Sequence, residues 1–341
     1  LDEAEASYRR AIALRPNLAE AHHNLGITLK EVGKIDEAEA SYRQAISLKS
    51  DYAEAHYKLG MLLKKQHRYH EAISHFDLAN NLKAIPQSLE CLYIAKDYEL
   101  LHERLGVFAK SEGVNIGVAA VSAFVSHQLE TQDPYQFCKT PLDYISVSNV
   151  REFEHDADGL INEILTEADA YQLRWESRTT KFGFQGPGDI FVNPSNAVST
   201  LERIIGKALT RYYDNHKGAS ERFITDWPTS YRLLGWFNRL LKNGYQISHN
   251  HPTGWLSGVI YLKTTPPLSN NAGAIEFSLH GHELPVIEEN IPQKTHNPEE
   301  GDIVLFPSSL FHRTIPFTTD TERCVIAFDM QPVVPLNGVP Q

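Results

Sequence analysis

The chain has 341 residues, of which 42% are hydrophobic and 22% charged, and a formal net charge of −11. That length predicts two or three domains with a sizeable core. The acidic balance, with no basic stripe, argues against a nucleic-acid partner, because such a domain concentrates lysine and arginine on one face. Cys91, Cys138 and Cys324 lie far apart with no CxxC pair, a usage that fits reduced thiols and a cytoplasmic protein rather than a disulfide framework. No membrane partner is expected, since the most apolar helical stretch, 114–125, is far shorter than the ~20 residues of a spanning helix. The sequence opens within a repeat and without a signal peptide, so a longer natural N-terminus is expected.

The first 85 residues repeat. LDEAEASYRRAIAL at Leu1 recurs as IDEAEASYRQAISL at Ile35 and more loosely as YHEAISHFDLANNL at Tyr69, a period of 34. Leu25, Gly26, Ala38, Tyr42 and Ala45 of one unit correspond to Leu59, Gly60, Ala72, Phe76 and Ala79 of the next. Small residues at these places let paired helices approach closely. Period and positions together resemble the tetratricopeptide repeat, which implies an α-solenoid over 1–85 and a protein or peptide partner. His22 and His56 stand where the repeat usually carries a large aromatic; we read them as packing or groove-lining positions rather than metal ligands. Such hairpins bury their apolar faces only against neighbours, so the array needs a cap.

That cap is expected in a helical adaptor over 86–132. Ile85-Pro86 ends the regular pattern, 89–105 keeps helical spacing without the repeat consensus, and 106–129 reads as one or two further helices. Asp133-Pro134 marks a boundary, because the residue before proline leaves the helical region. From 133 to 341 the texture is α+β: short strands such as 144–147, helices over 156–172 and 199–213, and an alternating strand from 231 to 239. The glycine-rich, basic segment 176–191 between those helices reads as a loop near the mouth of a site.

The chemistry concentrates in 246–329. His249 and His251 are two apart, so on a strand both rings leave one face and can share a metal ion. His312 follows the apolar strand 303–306, and Arg323 opens another, 324–328. Two near ligands, one distant ligand and a distal arginine suit an Fe(II) centre that keeps positions open for a chelating co-substrate and O2. The arginine would grip the far carboxylate of a dicarboxylic acid through two parallel hydrogen bonds. Ser257, Tyr261 and Asn238 are candidates, by strand position, for a second donor to that carboxylate, since Val325 stands where a small hydroxyl residue is often found. Asp302 reads as structural.

The segment resembles the double-stranded β-helix (jelly-roll) of the Fe(II)/2-oxoglutarate-dependent oxygenases, within them the bacterial group with HxHP…SGV(Y/I)Y…G-D-x-V-x-F-P-S…H…R. The resemblance covers roughly the last 200 residues. It implies Fe(II) held by His249, His251 and His312, 2-oxoglutarate held by Arg323, and a dioxygenase that hydroxylates a C–H bond with no catalytic side chain beyond the metal centre. Most such enzymes carry a carboxylate where this chain has His251, so three neutral imidazoles would leave the metal's charge to 2-oxoglutarate. Glu276 is a candidate substitute ligand, and the pair His280 and His282 is a rival to the first two histidines. Some prolyl hydroxylases resemble this layout in joining a repeat module to an oxygenase domain, which favours a protein or peptide substrate. Two alternatives remain: a cupin-type metalloprotein, which expects a glutamate where Trp255 and Leu256 stand, and a non-catalytic repeat scaffold.

Overall fold

Small and apolar residues at helical spacing build α1 (Asp2–Leu14), α2 (Ala19–Glu31), α3 (Ile35–Leu48), α4 (Ala53–Lys65), α5 (Tyr69–Ala79), α6 (Ala84–Ile94) and α7 (Tyr98–Ala109). The computed structural model describes residues 1–333 apart from 112, 171–173, 176–178, 187, 266–270 and 282–283. The chain divides into two compact units, Leu1–Phe108 and Ala109–Gln341.

In the first unit, Tyr42 and Phe76 are buried knobs against glycine holes. A Cβ on Gly26 or Gly60 would lie 2.7 Å from the respective ring, closer than van der Waals packing permits. The α2–α3 turn carries Gly33 at φ 82°, and the α4–α5 turn carries His67, one period later, at φ 62°. Lys96, at φ 61°, makes the same left-handed turn between α6 and α7. These two helices therefore form a third hairpin, where the sequence pattern suggested one helical stretch without the repeat. Pro86 is compatible with a helix. It sits third in α6, within the first turn, whose N–H groups have no intrahelical acceptor to lose.

The repeat histidines close local contacts. Nε2 of His22 lies 2.9 Å from the Pro16 carbonyl and Nε2 of His56 lies 3.0 Å from that of Ser50, each six residues back. Nδ1 of His56 also lies 3.0 Å from Nδ1 of His75, within hydrogen-bond distance.

The second unit begins with α8 (Ile116–Gln128) and is flanked by α9 (Ala157–Ala170), α10 (Asn196–His216) and the short α11 (Arg222–Thr225). Its strands are β1 (Ser146–Asn149), β2 (Arg174–Trp175), β3 (Thr180–Gln185), β4 (Tyr231–Gln246), β5 (Leu256–Lys263), β6 (Ile275–Ser278), β7 (Gln293–His296), β8 (Asp302–Pro307), β9 (Phe311–Thr314) and β10 (Arg323–Pro332). They form a seven-stranded sheet, β1-β8-β5-β10-β4-β3-β2, and a three-stranded sheet, β7-β6-β9, with all pairings antiparallel. This is the two-sheet jelly-roll architecture. Alternation puts Val259, Tyr261, Val304, Phe306 and Val325 of the large sheet into one core with Ile275 and Phe277 of the small one.

The segment 176–191 differs from the expected loop, because 180–185 within it is strand β3. β3 pairs with β4 across a register shift at Phe182, which takes φ 52°. Its glycines and lysine masked the strand alternation, and pairing with β4 supplies the order that local propensity does not.

Burial, with His56 next in size, lowers His75 to about 4. The unfolded chain takes up this proton below its ordinary 6.5, whereas the folded chain does so only near 4, so folding stability falls with pH across that window. The midpoint of thermal unfolding should therefore drop on going from pH 6.5 to about pH 5, and His75→Phe should reduce that drop. An unchanged slope in melts followed by circular dichroism would contradict the assignment.

Candidate metal centre and co-substrate site

After β4 the chain turns back and runs beside β9. His249 N–H donates to His312 O at 3.1 Å and His312 N–H to His249 O at 2.9 Å, an antiparallel bridge outside the named strands. His251 N–H then reaches Ser308 O at 3.0 Å. With residue i and i+2 on one side of an extended chain, His249 and His251 share a face and meet His312 across the bridge. Ring centroids are 5.3 Å apart for 249 and 251, 4.4 Å for 249 and 312, and 5.0 Å for 251 and 312. One ring nitrogen from each lies within 4.8 Å of the others, and among the described residues these three form the cluster able to hold a metal ion.

Each imidazole has an oxygen acceptor at Nδ1. His249 donates to Ile247 O at 2.7 Å, His251 to Asp329 Oδ1 at 2.6 Å, and His312 makes a longer contact to Leu310 O at 3.4 Å. With the proton held at Nδ1, the lone pair of the neutral ring is at Nε2, the form a metal requires. Burial, then the adjacent His249 and His251, keeps His312 well below the usual histidine range. The donor set thus fits a divalent transition metal.

The other end of the cavity is built on β10. Arg323 is 2% exposed, with Nη1 donating to Thr314 Oγ1 at 3.2 Å and Nη2 to the Tyr261 hydroxyl at 3.1 Å. Its Nε has no partner, and it makes no ion pair among the described residues. A buried guanidinium without a carboxylate is costly unless a ligand supplies one. Thr314 is two residues beyond His312 on β9, so the arginine end and the histidine end are separated by about 7 Å of strand, a span suited to a short dicarboxylate.

Of the other candidates, Tyr261 joins Arg323, while Asn238 is buried on β4 with Oδ1 unpartnered. Ser257 lies at the opposite end, where its hydroxyl donates to Asp329 Oδ1 at 2.7 Å and lies 2.8 Å from Ser308 Oγ. Thr314 and Asp329 are contacts that sequence reasoning missed. The available signal was period two: Thr314 follows His312 on one face, and Asp329 shares a face with Arg323. Trp236, half-buried on β4, has its ring 5.7 Å from that of His251.

The rival groups are engaged elsewhere. Glu276 accepts from Arg313 Nε at 2.6 Å. His280 Nε2 lies 2.7 Å from Leu284 O, and His282 lies outside the described residues. Asp302 takes hydrogen bonds from Asn149, His296 and the Glu299 amide. Where a cupin would place its glutamate, Trp255 and Leu256 are core residues, with the indole donating to Phe223 O at 3.0 Å.

Residues 235–329 match the family described as "Putative 2OG-Fe(II) oxygenase". Residues 1–33 and 28–66 match a TPR repeat family, and 53–86 a tetratricopeptide repeat family. Among solved structures, a Pseudomonas putida prolyl-4-hydroxylase is 14% identical with a TM-score of 0.40, covering 55% of this chain and 92% of that one. HygX from Streptomyces hygroscopicus, with nickel and 2-oxoglutarate bound, is 13% identical with a TM-score of 0.40, covering 57% and 87%. MamA is 22% identical with a TM-score of 0.27, and the match spans 30% of this chain and 61% of that one. Comparison with curated protein sequences gives no match.

Single substitutions His249→Ala, His251→Ala and His312→Ala should each weaken Mn(II) binding by more than the ~10–100-fold that follows loss of a partner behind a ligand. His280→Ala should leave it unchanged. Calorimetric titration of the four variants checks this; Mn(II) lost on His280→Ala and kept on the others would reject the cluster.

Proposed function

We propose, for a chain that joins tetratricopeptide repeats to a 2OG-Fe(II) oxygenase domain, that it hydroxylates a protein or peptide at an Fe(II) held by His249, His251 and His312. Arg323 holds the co-substrate 2-oxoglutarate. The observation that carries this reading is the placement, two residues apart along β9, of three convergent imidazoles at His312 and, at Thr314, a buried guanidinium with no carboxylate of its own among the described residues.

Charge supports the same assignment. Arg323 and Asp329, both buried and on the same face of β10, carry opposite charges. Adding a dication and a dicarboxylate keeps the sum at zero, so both ligands enter together without leaving net charge in a dry interior. When bound, Fe(II) with 2-oxoglutarate and O2 supplies the oxidising chemistry, with succinate and CO2 as co-products. The protein's part is positioning. Arg323 and Tyr261 fix the distal carboxylate, the Nδ1 acceptors fix the three rings, and Phe306, packed 4.6 Å from the His312 ring, keeps water from that side. No side chain is needed as acid or base.

Tetratricopeptide arrays commonly bind peptides in their grooves, which supports a macromolecular substrate. All three cysteines are buried and free, and burial raises Cys91 to about 12 and Cys324 to about 11; such inert thiols agree with a reducing compartment such as the cytoplasm. No helix among the described residues is long and apolar enough to cross a membrane.

Arg323→Ala removes one member of a buried charge pair, a loss of roughly 2–5 kcal/mol. The Mn(II)-loaded variant should bind 2-oxoglutarate about thirtyfold more weakly or worse, and Arg323→Lys should not restore binding, because an ammonium lacks the planar fork. Mn(II) affinity should be retained. Equal 2-oxoglutarate affinities by calorimetry, or no 2-oxoglutarate-dependent succinate from the Fe(II)-loaded protein with peptide substrates, would reject the oxygenase reading.

A further inference from the structure

We propose that Asp329 is a positioning residue that supplies negative charge to the metal through His251, in place of a carboxylate ligand; this rests on the metal site proposed above. Three neutral imidazoles bring no charge to a dication, and one of them, His312, is buried. A dication taken out of water into such a site is costly unless a counter-charge lies close. The expectation from the motif was that 2-oxoglutarate alone provides it. The structure places a second source one hydrogen bond behind the ligand set.

Asp329 is 4% exposed, and among the described residues it makes no ion pair with a lysine or arginine. A carboxylate so deeply buried carries a large desolvation cost that neutral donors offset only in part. Its Oδ1 accepts from His251 Nδ1–H at 2.6 Å and from Ser257 Oγ–H at 2.7 Å. Because Ser257 spends its proton on the carboxylate, Ser308 Oγ must donate to Ser257 across their 2.8 Å contact. Gly254 completes the cradle, since a Cβ there would lie 2.6 Å from Ser308 Oγ and 3.2 Å from Asp329 Cγ. The carboxylate is thus held by two hydrogen bonds, aimed at the back of one imidazole, with no lysine or arginine to compensate its charge among the described residues. A metal held at Nε2 of His251 would supply that compensating charge. In turn the carboxylate makes the ring a stronger donor, as carboxylates behind metal-bound histidines do.

A purely structural role would need only a hydrogen-bond acceptor, which asparagine also provides. Asp329→Asn keeps an oxygen for both His251 and Ser257 and removes only the charge. In the full-length chain we expect Asp329→Asn to weaken Mn(II) binding about 10–100-fold and to move the Fe(III)/Fe(II) midpoint to a more positive potential. The metal-free thermal midpoint should stay the same or rise, because a buried uncompensated carboxylate is gone. Asp329→Ala should weaken Mn(II) binding at least as much. Unchanged Mn(II) affinity and potential in Asp329→Asn would overturn the proposal, as would a metal-free destabilisation that parallels the loss of affinity. Failure of the unsubstituted protein to bind Mn(II) would instead reject the metal site itself.

Discussion

The site depends on two backbone hydrogen bonds between His249 and His312. They fasten the return segment after β4 to the small sheet, and so bring a pair of ligands from one part of the chain against a third that lies 63 residues further on. Without that bridge the two-residue spacing of His249 and His251 would give a shared face and nothing opposite it. The bridge is also economical in sequence terms. It uses main-chain groups, which every residue carries, and leaves the side chains free to converge.

From that anchor the rest of the cavity follows by strand period. Thr314 stands two residues past His312 and meets Arg323. Along β10, Arg323, Val325, Ala327 and Asp329 face inward in turn, so a cation and an anion sit at opposite ends of one strand, separated by small apolar side chains. Each charge is buried, and neither has a compensating partner of full charge among the described residues. Burying such groups without a partner of full charge is costly, which makes this pair of buried charges a candidate functional feature. Packing around them is conventional, with Phe277 and Phe306 filling the space between the sheets beside His312.

The helical unit shows the same economy at a different period. A 34-residue repeat places Tyr42 on Gly26 and Phe76 on Gly60. It also repeats the electrostatics: Arg9 bridges Glu5 and Glu37, and Arg43 bridges Glu39 and Glu71. Exposed pairs of this kind contribute little to stability each. The close ring-on-glycine contacts fix the stacking, and the ion pairs follow it.

By itself the sequence determined the repeat period, the change from helical to strand texture, and the candidates His249, His251 and His312, which the fold brings together, with Arg323, which it buries. These were legible because their signals are local, a fixed period in one case and two-residue spacing beside apolar strands in the other. Tertiary structure alone decided the third hairpin, α6–α7, whose turn at Lys96 replaces the glycine of the consensus. It also decided that 180–185 forms a strand between β4 and β2, an outcome of that pairing rather than of its own composition. The partners Thr314 and Asp329 belong to the same class. An aspartate or a threonine within a strand carries no mark of the group it faces, because that is set by register between strands far apart in the chain. Register also took the Ser257 hydroxyl to Asp329 and left Tyr261 beside the arginine, a division that residue type and spacing along one strand could not make.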